Sequence, residues 1–267
     1  MSKNVLCVIP ARGGSKSIRK KNIRELNGKP LIYYTISEAL KAFDKKNLVI
    51  STDDDEIAKI SMDYGCNIYF KRPKKLATDK AQSYEVILHS LKFMEKLFDK
   101  KYHSIMMLQP TSPFRTFKHI NKSLQMIKSK HIDSVVSVVN VDGYHPYRMK
   151  VIKKNYLYNY YEQGFEDMRP RQILPKIFIR NGAIYLNKRD VIVHQKQLVG
   201  KKVMPLIMKP KESVNIDSII DFYVAESLLK KNITVIKAIT IFFIFIIIYL
   251  VSVISRSIQI KLIIMTQ

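Results

Sequence analysis

Short apolar runs alternate, over the first 230 positions, with longer stretches in which apolar residues recur every three or four places. Asn4 to Pro10 is a Val/Leu/Ile/Cys run of the kind that forms a strand buried on both faces of a parallel sheet. Asn47 to Ser51, Asn67 to Phe70, Ser104 to Leu108, Ser134 to Asn140, Gly182 to Asn187 and Val203 to Met208 are further predicted strands. Between them, Pro30 opens a helix whose inward stripe is Leu31, Tyr34, Ile36 and Leu40, proline being well placed in a first helical turn. Thr52-Asp53-Asp54-Asp55-Glu56 starts a second helix that ends at Gly65, its acids meeting the positive end of the helix dipole. Ser83 to Phe98 predicts a third, with Val86, Ile87, Leu91, Met94 and Leu97 as core stripe; Thr116 caps a fourth running to about Lys130, and Ser218 to Lys231 is the last. This alternation indicates βαβ units: an α/β fold with a Rossmann-like, mainly parallel sheet, helices on both faces and ligands beyond the carboxyl ends of the strands.

Two stretches depart from the pattern. Asp142 to Pro175 is aromatic, basic and turn-rich, dense in tyrosine, and reads as an inserted arm, 142–175, with the chemistry of an interface. After the α/β domain expected over 1–231 comes a hydrophobic tail, 232–267. Within it, Ala238 to Ser255 is free of charge and bracketed by Lys237 and Arg256. As a helix it is about 27 Å long, against a hydrocarbon core of about 30 Å. Two readings stay open: a membrane-associating C-terminal hydrophobic helix, or an extension that is no membrane segment.

Charge changes the picture less than it first suggests. The 267 residues carry 46 Lys and Arg against 22 Asp and Glu, a formal +24 that attracts anions of any kind. The lysines are scattered and no nucleic-acid-binding motif accompanies them, so no nucleic-acid partner is expected. Two cysteines, Cys7 and Cys66, stand at apolar positions, and the first strand begins directly after Met1-Ser2-Lys3; both features fit a cytoplasmic protein better than a secreted one.

Candidate chemistry concentrates just after the first strand, where Gly13-Gly14 is followed by Ser15 and Lys16, with Arg12, Arg19, Lys20 and Lys21 nearby. Glycines able to take positive φ and long cationic side chains make a cradle for a polyphosphate, although a Gly-Gly turn with lysines is also a common solvated connection. The Walker A spacing is absent, which disfavours P-loop chemistry.

The run IPARGGSKSIRKKN, Ile9 to Asn22, resembles the nucleotide-binding signature of the acylneuraminate cytidylyltransferases, or CMP-sialic acid synthetases. So do LQPTSPFRT at 108–116, RPRQILP at 169–175, RNGAIYL at 180–186 and VNIDSIIDFYVAE at 214–226, in the family's order. The resemblance implies transfer of CMP from CTP to the anomeric hydroxyl of a nonulosonic acid such as N-acetylneuraminate or legionaminate. It places Arg12, Ser15, Lys16, Lys21, Asn22, Arg72, Ala81 and Ser83 on the nucleotide and Gln109, Thr111, Arg171 and Tyr185 on the sugar acid, with Arg12, Lys21 and Asp217 catalytic. Arg72 and Arg171 can also be read as ordinary surface or interface charges, and Tyr185 as a core residue. Asp217 with Asn215 would hold Mg²⁺; the family commonly has D-x-D, so Asn215 is a departure, as is Ser17 where glycine is usual. Homodimerisation through the arm is likewise implied. The alternatives are another sugar nucleotidyltransferase, with a Kdo or pseudaminate acceptor or a UTP donor, and a catalytically inactive basic membrane-surface protein. The central expectation is geometric: the turn beginning at Arg12 lies beside Asp217 and across a cleft from Gln109.

Overall fold

The computed structural model describes residues 4–161 and 167–230. The chain divides into two compact units, Met1–Phe222 and Tyr223–Gln267; of the second, the described part, 223–230, is helical. The tail segment 238–255 lies outside the described residues, and among the described residues no helix is long and apolar enough to cross a membrane.

The first unit is built on a six-stranded sheet. Its strands are β1 (Val5–Pro10), β4 (Leu48–Ser51), β5 (Ser104–Met107), β6 (Ser134–Asn140), β9 (Phe178–Lys188) and β10 (Val203–Ile207). They lie in the order β10-β6-β9-β5-β1-β4. β1 runs parallel to β4 and β5, and β10 parallel to β6. β9 is antiparallel to both of its neighbours, an arrangement the apolar run at 182–187 does not reveal, because such a run carries no direction. Two short strands, β2 (Glu25–Leu26) and β3 (Lys29–Pro30), pair after the cradle, and β7 (Lys150–Lys153) and β8 (Tyr156–Asn159) make a separate hairpin within the predicted arm.

Alternation along β1 explains why its whole run is apolar. Val5, Cys7 and Ile9 join a core with α1 (Leu31–Leu40), α2 (Asp55–Asp63) and α4 (Phe117–Met126), while Leu6 and Val8 join a second core with α3 (Ser83–Leu97) and α5 (Arg189–Val193). Helices therefore cover both faces of the sheet, as expected. Both cysteines are buried free thiols, and burial pushes the Cys66 thiol up to about 12, which keeps it inert.

Four local expectations change. Residues 67–70 form no strand; Phe70 is fixed instead by rings, 4.9 Å from His89 and 4.8 Å from Phe93, and the next backbone bond to the sheet edge is Arg72 N–H to Thr52 O, 2.7 Å. In α1 the buried side is Leu31, Ile32, Thr35, Ile36 and Ala39, whereas Tyr34 turns aside and its hydroxyl donates to Leu26 O, 2.6 Å. Leu97, at the end of α3, is 50% exposed, and Ser90 takes part in the buried stripe. α4 stops at Met126 because its last turn tightens: Lys128 and Ser129 N–H donate three residues back, to Gln125 and Met126.

Candidate active site

Parallel β1, β4 and β5 end at one edge of the sheet, and the antiparallel β9 begins there, so four chain segments meet at that edge. The cradle after β1 is shaped by close approach. Gly13 N–H donates to Asp53 Oδ1 at 3.2 Å, and a Cβ on Gly13 would sit 2.5 Å from Asp54 Oδ2, so no larger residue fits without displacing that acid. Asp54 is in turn fixed as the N-cap of α2, accepting from Glu56 and Ile57 N–H, each at 2.9 Å. Two of the three aspartates thus shape the cradle from behind. Neither Gly13 nor Gly14 takes positive φ; the left-handed position of this turn is Lys20, at φ 53°. Buried Asn22 donates from Nδ2 to Arg12 O, 2.9 Å, tying the two ends of the cradle together.

A cleft of about 570 Å³ opens over this edge. Arg12, Ser15, Lys16, Lys21 and Asn22 line it from the cradle, Arg72, Ala81 and Ser83 from the loop before α3, Gln109 and Thr111 from the loop after β5, and Asn215 and Asp217 from the segment after β10. The predicted juxtaposition is present. Lys21 Nζ donates to Ile216 O at 3.0 Å and to Asp217 Oδ1 at 3.1 Å, Thr111 Oγ1 donates to Asn215 Oδ1 at 2.6 Å, and Ile216 N–H donates to Thr111 O at 2.8 Å. Arg72 is buried against Ser51, donating from Nε to Oγ at 3.0 Å; burial pulls its guanidinium down to about 10 although Asp53 opposes the change. It is no plain surface charge.

Two predicted sugar contacts do not line the cleft. Tyr185 is 8% exposed and lies in the core shared with α3 and α5, opposite Met107 and Val136. Alternation along β9 gives it the sheet face rather than the edge. Arg171 is exposed, in a single 3-10 turn, Arg171–Ile173, between the hairpin and β9.

The structure adds residues that motif spacing did not single out. Asp79 binds Arg12 Nη2 and Lys16 Nζ, each at 2.6 Å, and these two cations hold its carboxyl below the usual range. Its signal was faint, one acid in a polar loop. Gly182, within RNGAIYL, has φ +77°, and a Cβ there would run into Gln109 Oε1 and approach Asn215 Oδ1 to 3.4 Å. Behind the Gln109 loop, Arg115 is 1% exposed and its Nη1 donates to Gln109 O, Ser112 O and Ala183 O at 3.2, 3.4 and 3.0 Å.

Four cations and two carboxylates line the cleft, a balance suited to a polyanion. For a divalent cation the donors at hand are the Asp217 carboxylate and the Asn215 amide oxygen, held together by a contact from Asn215 Nδ2 to Asp217 Oδ2. One carboxylate and one amide suit a hard cation that keeps waters and takes further ligands from phosphate oxygens. A doubly wound sheet with a cationic glycine turn at its carboxyl edge defines a nucleotide-handling α/β protein.

Comparison with known proteins sharpens that class. The cytidylyltransferase family pattern matches residues 6–235, and the chain belongs to that family. It is 33% identical over 236 residues to the CMP-N,N'-diacetyllegionaminic acid synthase of Legionella pneumophila, covering 85% of this chain and 97% of that one. It is 31% identical over 228 residues to the post-translational flagellin modification protein B of Campylobacter coli, covering 85% and 96%. The N-acylneuraminate cytidylyltransferase of Escherichia coli is 32% identical over 236 residues, 87% of this chain but 54% of that protein, so the match spans about half its length. Among solved structures, a CMP:2-keto-3-deoxy-manno-octonic acid synthetase complexed with CTP superposes with TM-score 0.62 at 16% identity, over 86% of this chain and 100% of that one, a likeness of fold.

Proposed function

We propose that the chain transfers CMP from CTP to the anomeric hydroxyl of a nonulosonic acid, N-acetylneuraminate or a relative such as legionaminate. The observation that carries this reading is the convergence of Arg12, Lys21, Gln109, Thr111 and Asp217, from three distant stretches of sequence, on one cleft. The names of the relatives supply the acceptor class.

In this scheme the anomeric hydroxyl gives up its proton to solvent as its oxygen attacks the α-phosphorus in line, a P–O bond forms to the sugar, the bond from the α-phosphorus to the bridging oxygen breaks, and pyrophosphate leaves with that oxygen, without a covalent enzyme intermediate. The chain contributes alignment and charge neutralisation. Arg12, Ser15 and Lys16 hold triphosphate oxygens, and Lys21 meets the charge growing on the departing pyrophosphate. Asn22, Arg72, Ala81 and Ser83 hold the nucleoside, and Gln109 and Thr111 offer neutral hydrogen bonds to the sugar acid. Asp217 and Asn215 would hold Mg²⁺, which when bound supplies Lewis-acid stabilisation of phosphate charge. Arg171, outside its own cleft, is assigned to the sugar carboxylate in the cleft of a second copy, within a homodimer joined by the arm.

Pyrophosphate release with CTP or UTP, against N-acetylneuraminate, legionaminate, pseudaminate and Kdo, tests this directly. Release is expected with CTP and one of the first two acids. Silence with every acid, in folded protein supplied with Mg²⁺, overturns the enzyme reading, and preference for UTP or Kdo replaces the substrate.

A further inference from the structure

Asp79 is the feature of the cleft that the proposed chemistry leaves without a role. Its two carboxylate oxygens are shared between Arg12 Nη2 and Lys16 Nζ, both at 2.6 Å. Those two cations stand on the cradle, whereas Asp79 stands in the loop before α3 that also brings Ala81 and Ser83 to the cleft. A carboxylate that bridges a guanidinium and an ammonium fills the same donor positions as two oxygens of a phosphate. The two pairs are partly open to water, with Asp79 and Lys16 well exposed, so they can break without unfolding anything.

We propose that Asp79 is an internal competitor for the phosphate cradle, displaced when the triphosphate enters and restored when pyrophosphate leaves. The inference rests on the nucleotidyl-transfer reading and adds to it a residue that sets nucleotide affinity and product release. An incoming phosphate chain must take Arg12 and Lys16 from Asp79, which weakens its net binding. The same exchange in reverse gives the two cations an alternative partner as pyrophosphate departs, so that a cradle built for anions does not retain its own product.

Calorimetric titration of pyrophosphate and of CTP into the full chain, without divalent metal, reads this out. Asp79→Asn, which keeps the shape and removes the charge, is expected to tighten both ligands about three- to tenfold, the range of one or two partly exposed ion pairs. Inhibition of turnover by pyrophosphate should strengthen by the same factor. Asp99→Asn, at a left-handed position that asparagine adopts readily and between α3 and β5 at the far edge of the sheet, controls for the lost charge and should change binding less than twofold, by about the screening expected beyond a Debye length. Equal effects of the two substitutions, or weaker binding in Asp79→Asn, would overturn the proposal; weaker binding would make Asp79 an organiser of Arg12 and Lys16 instead. Wild-type protein that binds neither ligand would remove the nucleotide reading and this inference together, an outcome distinct from binding that Asp79→Asn fails to tighten.

Discussion

Lys21, proposed to meet the charge growing on the departing pyrophosphate, is already held in place. Its ammonium is largely enclosed, held by a backbone carbonyl and by Asp217, so it is aimed before any ligand arrives. A preorganised cation of this kind costs little to orient at the transition state. Lys21→Ala is therefore expected to lower kcat by about a hundredfold or more, with far less change in CTP affinity, measured by steady-state pyrophosphate release beside calorimetry. Two histidines make a different residue-scale case. His119 and His89 both titrate below the usual 6.5, in each case chiefly because burial disfavours the imidazolium; Arg72 and Lys75 add repulsion at His89, and Glu212 only partly offsets the effect at His119. The unfolded chain then binds protons that the folded chain refuses, so the stability present above 6.5 falls as pH drops through it towards the folded values. Thermal midpoints at about pH 7.5 and pH 5.5 should show the decline, and replacing both histidines with glutamine should flatten it.

At the scale of elements, the loop after β5 and the start of β9 are locked as a pair. Arg115 holds three carbonyls of that junction, and Gly182 gives Gln109 its space. Arg115→Ala leaves those acceptors and a cavity behind and is expected to cost about 3 kcal/mol, read by urea unfolding. Gly182→Ala adds about 1–2 kcal/mol of backbone strain at a left-handed position and pushes Gln109 aside. Its expected signature is a raised KM for the sugar acid with CTP affinity kept. Much of this layer was legible beforehand: buried strands announce themselves as apolar runs, and Thr116 does precede α4. What hid was whatever depends on partners across space. The antiparallel sense of β9, the ring-held segment at 67–70 and the burial of Tyr185 are fixed by neighbours distant in sequence or by aromatic packing, and local periodicity carries neither. The cleft was legible because its motifs are short, dense in glycine, cations and amides, and placed at strand ends. Asp79 was not, since a single acid in a lysine-rich loop looks like any solvated one.

For the whole molecule, the hairpin poses a question of stability. Ile152 and Leu157 lie directly opposite one another in the β7–β8 pair, so they share a face, yet they are 72% and 65% exposed. A two-stranded hairpin is marginal in water without a surface to pack on. Tyr156 and Tyr160 nearby are exposed as well, and large apolar and aromatic side chains gathered in this way mark an interface more often than a free surface. A second copy of the chain is the proposed cover, because the same stretch, 142–175, carries Arg171, which does not line its own cleft. Charge opposes such an association: at +24 two copies repel, and the repulsion is weakened by salt. Sedimentation at micromolar concentration should therefore show a dimer that strengthens between about 50 and 300 mM salt. Ile152→Asp with Leu157→Asp should yield a folded monomer that still binds CTP but loses turnover with the sugar acid. A double variant that stays dimeric, or a monomer with full turnover, would separate the hairpin from the active site and return Arg171 to the status of an ordinary surface charge.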